Sequence, residues 1–164
     1  LNDQPSSVPI SSAVPAEVAS ILESTFQRLL AESTFADAWP RPELVSRPET
    51  VSEVGFHVLL PVRSPWIGRL LLAGDADTVR DLAAGFHSVP DSMVDKAIAL
   101  DFLAEIATLL VRDLFCVSDS PVQALEPLEL SPTEAVGIWE RAASARTVLG
   151  CNQGRILAAL LAGP

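Results

Sequence analysis

The chain has 164 residues, 49% of them apolar and 20% charged, with 21 acidic against 11 basic side chains and a formal charge of −10. So few cations cannot make the basic face that displaces counterions from nucleic acid, nor a polybasic membrane patch, and both kinds of partner are excluded. No window of 18 consecutive apolar residues is available to span a bilayer, the apolar content is too high for a disordered chain, and the length suits one domain around one core.

Residues 1–15, rich in proline and serine without a period, read as a flexible N-terminal arm, leaving 16–164 as a single domain. No basic segment followed by an apolar run stands at the start, so the cytoplasm is the expected location. From Ala16 to about Ala36, Val18, Ile21, Leu22, Phe26, Leu29, Leu30 and Phe35 recur at helical spacing. Pro40, Pro42 and Pro48 then argue for an irregular connector over 37–50. Val54, Phe56, Val58, Leu60 and Val62 share one parity while Glu53, Gly55 and His57 occupy the other, the pattern of a half-buried strand. A turn at Arg63-Ser64-Pro65 leads to a second strand, Trp66–Ala73, so the pair forms an antiparallel hairpin with Trp66 under the helices.

Asp75 is placed to cap a helix whose apolar stripe is Val79, Leu82, Ala83 and Phe86 and which Pro90 closes. Ser92 and Asp95 suggest a capping box opening the longest helix, roughly 92–116. Pro121, Pro127 and Pro132 punctuate a strand-like stretch. Over 133–141 the signals conflict: Ser131, Pro132 and Glu134 start a helix, and Gly137 interrupts it. Two apolar runs, 143–151 and 155–162, close the chain around a three-residue hairpin loop, Asn152-Gln153-Gly154. This order predicts an α+β fold with helices packed on an antiparallel sheet.

Chemistry-bearing motifs are few. Cys116 and Cys151 lie in apolar runs without metal-ligand spacing and read as buried hydrophobes. His57 and His87 have no carboxylate or cysteine at ligand spacing, and Asp75, Asp77 and Asp81 lack the glycine and terminal glutamate of a calcium loop. No phosphate-binding glycine motif or serine elbow is present, so neither metal nor cofactor is expected. The long helix is the exception. Asp101, Glu105, Thr108 and Arg112 stand at i, i+4, i+7 and i+11, one narrow polar seam on an otherwise apolar cylinder. Asp101 and Glu105 are like charges one turn apart, a local conflict costing a few tenths of a kcal/mol.

Asp101-Phe-Leu-Ala-Glu105-Ile-Ala-Thr108-Leu-Leu-Val-Arg112 resembles the signature helix of the CheC/CheX-type chemotaxis phosphatases, in which an acidic residue precedes E-I-x-N and a small residue. Residues 54–86 are similar to that family's hairpin and following helix, and Leu130–Gly137 to its P-x-v-i-x-G stretch, so the resemblance runs in order from 16 to 162. It implies a six-stranded antiparallel sheet carrying long helices, and a phosphatase acting on a phosphorylated response-regulator receiver, a CheY-like domain. In the family the glutamate pairs with a receiver lysine, and the asparagine carboxamide orients the attacking water beside the acyl phosphate.

Carried over, Glu105 takes the glutamate's place, Thr108 stands where the asparagine belongs, and Arg112 replaces a small residue. Asp101, Glu105 and Arg112 become partner-binding candidates, and Glu105 and Thr108 catalytic ones. The second family motif, on the first helix, has only Glu23 and Gln27 in its place, at i+4 rather than i+3. Threonine is shorter than asparagine and β-branched, and a misplacement of about 1 Å costs roughly a hundredfold in an oriented reaction. The expected function is receiver binding with weak or lost phosphatase activity. The alternatives are an active aspartyl-phosphate phosphatase and a non-catalytic scaffold, or a homodimer formed through a free edge of the closing strands.

Overall fold

Alternation along the central strands sends apolar side chains to both sides of one sheet, and each side is roofed by helices. The computed structural model describes residues 14–115, 121–151 and 154–163. Its strands are β1 (Trp39–Pro40), β2 (Phe56–Ser64), β3 (Gly68–Gly74), β4 (Gln123–Ala124), β5 (Leu128–Glu129), β6 (Arg146–Cys151) and β7 (Gly154–Ala162). All pairings are antiparallel in the order β1-β6-β7-β3-β2-β4, with β5 also on β2. The sheet therefore has seven strands rather than the six expected, three of them only two residues long.

The helices are α1 (Ala16–Thr34), α2 (Glu49–Ser52), α3 (Ala76–His87), α4 (Lys96–Phe115) and α5 (Pro132–Arg141). Leu72 pairs with Val58 and Ala158, and all three face the core under α1, α3 and α4. One step along, Leu71 pairs with Leu59 and Ala159, and these face the opposite core with Ala135, Ile138 and Trp139 of α5. Trp66 is buried in the first core and stacks on Phe115 with ring centroids 5.3 Å apart.

Several expectations need correction. β2 is buried on both faces over its first five residues, because α2 and α5 cover the side assigned to solvent. His57, placed on the polar parity, is only 3% exposed, and its Nε2–H donates to the Val51 carbonyl at 2.6 Å. The connector over 37–50 is partly regular: Trp39 and Pro40 pair with Gly150 and Leu149, and Pro42 and Pro48 open short helical turns. Proline is tolerated there because β1 is an edge strand, where a missing N–H breaks no ladder.

Phe35 is not in the α1 stripe; it follows the helix in the left-handed conformation, φ 60°, and is 83% exposed. Asp75 makes no cap bond to α3; its Oδ2 accepts the Arg155 N–H at 2.8 Å and ties the helix start to β7. At α4 the cap is Asp95 itself, whose Oδ1 accepts the Ile98 N–H at 2.9 Å, while Ser92 lies in a 3-10 turn. Cys151 pairs with Gly154, so two residues rather than three connect the closing hairpin. Those two, Asn152 and Gln153, lie outside the described residues, as do Cys116 and most of the arm assigned to 1–15.

The ambiguous stretch 133–141 is helical. Ser131 Oγ accepts the Glu134 N–H and Glu134 Oε1 accepts the Ser131 N–H, both at 3.2 Å, a reciprocal box that satisfies two otherwise orphaned donors. Gly137 faces open space and costs the helix only its propensity, about 1 kcal/mol relative to alanine. Ser131→Ala is accordingly expected to lower unfolding free energy by about 1 kcal/mol in a urea titration. An unchanged midpoint would mean that packing alone holds α5.

The sheet edges are also unlike the expectation. β7 lies between β6 and β3, β6 carries β1, and β2 is covered along its outer side by β4 and β5. The outermost strands are two-residue fragments, one of them ending in Pro40, and such short edges resist pairing with a second copy. Among the described residues the closing strands offer no long free edge.

Candidate functional site

Helix α4 positions the site because its girth is unequally apolar. Phe102, Leu103, Ile106, Ala107, Leu110, Val111 and Leu114 are buried, which fixes the rotation of the helix on its neighbours. That rotation leaves Asp101, Glu105, Thr108 and Arg112 all exposed along one line. The seam is thus displayed midway along a rigid element with a packed back.

Its four side chains are differently engaged. Glu105 and Asp101 have no hydrogen-bond or ion-pair partner among the described residues, so neither carboxylate is tied to the fold. Thr108 Oγ1 donates to the Ala104 carbonyl at 3.1 Å, the back-bond to residue i−4 that helical threonines form. This uses the single hydroxyl proton and leaves the oxygen able only to accept. The Arg112 guanidinium is turned to its neighbour in sequence, with Nε and Nη2 at 3.2 and 3.1 Å from Asp113 Oδ1.

Beside the seam an open groove of about 600 Å³ runs between α4 and the segment 122–127. Ala104, Glu105, Thr108 and Leu109 form one wall, Leu60 of β2 contributes to the floor, and Val122, Ala124, Leu125, Glu126 and Pro127 form the other wall. That second wall is pinned at both ends. Ala124 pairs with Val62, the Leu125 N–H donates to the Pro61 carbonyl at 2.9 Å, and Leu128 pairs with Leu59. Lys96 Nζ, at the start of α4, lies 2.8 Å from Glu129 Oε1 and clasps the segment to the helix. Sequence reasoning missed this wall; its only signals were Pro121 and Pro127 bracketing an apolar Leu125.

Other candidates are placed elsewhere or consumed structurally. Gln27, in the position of the second family motif, donates Nε2–H to the Ala38 carbonyl at 2.7 Å and braces the end of α1. Cys151 is buried, and desolvation, with the Asp81 charge adding, pushes its thiol from 9.0 up to about 11, so it is no nucleophile at neutral pH. Among the described residues no group of three His, Cys, Asp or Glu side chains could hold a metal ion, and no helix is long and apolar enough to cross a membrane.

No protein-family model and no curated protein matches the sequence. Solved structures do match, over most of the chain. Chemotaxis protein CheX from Vibrio vulnificus superposes with a TM-score of 0.62 at 10% identity, covering 92% of this chain and 99% of that one. A chain of the CheX–CheY–BeF3–Mg2+ complex from Borrelia burgdorferi gives 0.59 at 12% identity, covering 87% and 95%. A CheC-like superfamily protein from Shewanella sp. PV-4 gives 0.55 at 7% identity, covering 92% and 100%. Antiparallel sheet, long helices and chain order are therefore those of the CheC/CheX-type fold. At such identities the likeness establishes the fold, and the site has to be argued from its own residues.

Proposed function

We propose that residues 16–164 form a CheX-like signalling domain that binds the phosphorylated receiver of a response regulator, with weak or lost phosphatase activity. One observation carries the reading. Glu105 and Thr108, which resemble the family's motif pair in sequence, stand exposed one turn apart beside an open groove, on the long helix of a CheC/CheX-type fold. A partner of this kind also has a solved counterpart, since the Borrelia burgdorferi CheX was crystallised with CheY.

The chemistry supports binding over turnover. Glu105 carries a charge that nothing in the described chain neutralises, so it is free to meet a receiver cation, with Asp101 and Arg112 flanking it. An aspartyl phosphate is already activated, so catalysis reduces largely to placing one water in line. Asparagine would reach it with a carbonyl two bonds beyond Cβ and could donate and accept at once. Thr108 offers one hydroxyl a bond nearer the helix, its proton spent on Ala104. A water held from there sits short of the reacting phosphorus, and a misplacement of about 1 Å removes roughly a hundredfold of the acceleration.

Receivers are cytoplasmic, which is where such a domain would work. No cofactor is needed on this chain's side of the reaction. The test is calorimetric titration with receiver domains encoded in the same genome, each with and without BeF3 and Mg2+. Tighter binding to the BeF3-treated form of at least one receiver is expected; no binding to any receiver in either form would contradict the proposal.

A further inference from the structure

The family resemblance assigns partner contact to one helix, yet the groove beside Glu105 has a second, preformed wall. We infer that Leu125 and Glu126 are the other jaw of the partner site, and that the groove seats one long cationic side chain, lysine or arginine, of the partner. This rests on the receiver-binding reading and names how that site selects its ligand.

Charge identifies the occupant. The groove's charged lining residues are Glu105 on one wall and Glu126 on the other, and no cation lines it. Between them the surface is hydrocarbon: Leu60, Leu109, Val122 and Leu125. An apolar side chain would cover that hydrocarbon but leave both carboxylates unanswered as water withdraws. A small cation would answer the carboxylates and leave the trough wet. A lysine or arginine does both, with its methylene stem along the trough and its charged end between the two glutamates.

The wall is also built to wait. Leu125 is 47% exposed, so its side chain is only half used by the fold, while its backbone is fixed to Pro61 at 2.9 Å. The sheet pairings on either side and the Lys96–Glu129 ion pair hold the segment without a partner. Little ordering cost is then left for binding.

The experiment measures dissociation constants for BeF3-treated receiver with wild type, Leu125→Ala, Glu126→Gln and Glu105→Ala, at low and high salt. Circular dichroism melts would confirm folding, since Leu125 and Glu126 are both exposed. Leu125→Ala and Glu126→Gln are each expected to weaken binding about tenfold, and Glu126→Gln to flatten the salt dependence. Wild-type affinity in both variants, with binding lost in Glu105→Ala, would overturn the second jaw and leave receiver binding standing. Failure of the wild type to bind any receiver would remove both together.

Discussion

Replacing Glu105 with alanine is expected to weaken binding of a phosphorylated receiver by about 2 kcal/mol or more, roughly thirtyfold, while leaving the fold intact. The loss is large because the partner cation would be buried in the complex with the carboxylate on the helix side removed. Stability should not fall with it. Glu105 is exposed, forms no bond within the described chain, and repels Asp101 one turn away, so its removal is neutral or stabilising by a few tenths of a kcal/mol. Affinity by calorimetry and stability by urea titration separate the two effects. Equal affinity of wild type and variant would take the α4 seam out of the account.

The largest expected effect on stability lies on the far face of the sheet. Trp139→Ala should cost about 3–5 kcal/mol, a major share of a typical domain's 5–15 kcal/mol. Trp139 is 1% exposed in the core between α5 and the sheet, and its Nε1–H donates to the Val45 carbonyl at 3.0 Å. The Arg146 guanidinium sits 5.5 Å from its ring centroid and donates to its carbonyl at 3.0 Å. Truncation would therefore open a cavity, leave the Val45 carbonyl without its donor and take the ring from under Arg146, whose bond to the backbone carbonyl of residue 139 remains. Because the sheet separates this core from α4, receiver affinity of the folded fraction should hold. A destabilisation below about 1 kcal/mol in urea would mean that α2 and α5 are dispensable to the sheet.

Where the chain's own periodicity decides structure, the sequence was sufficient. α1, α3, α4 and the β2–β3 hairpin each declare one buried stripe or parity over many residues. The two-sided burial of β2 was not legible, because its second cover, α5, arrives some seventy residues later and only tertiary packing turns His57 inward. Conversely, α5 forms despite Gly137 because a complete capping box and the burial of Trp139 outweigh one flexible residue.

The site divides the same way. The seam of Asp101, Glu105, Thr108 and Arg112 was readable as spacing on a helix, and the exposure of all four follows from burying the rest of α4. The facing wall was not. Residues 122–127 have no period, and it is their register against Val62 and Leu59 that carries Leu125 and Glu126 alongside the helix. The missing long edge was equally hidden, since two-residue strands leave no trace in composition.

This scaffold is proposed to keep the phosphatase's grip and to have lost its reach at Thr108. The decay of a phosphorylated receiver tests it most directly, compared without added protein, with wild type, and with Thr108→Asn. Decay near the intrinsic rate is expected with wild type, and clear acceleration with Thr108→Asn. Acceleration by wild type as strong as by the variant would contradict it, and would place the chemistry on another group.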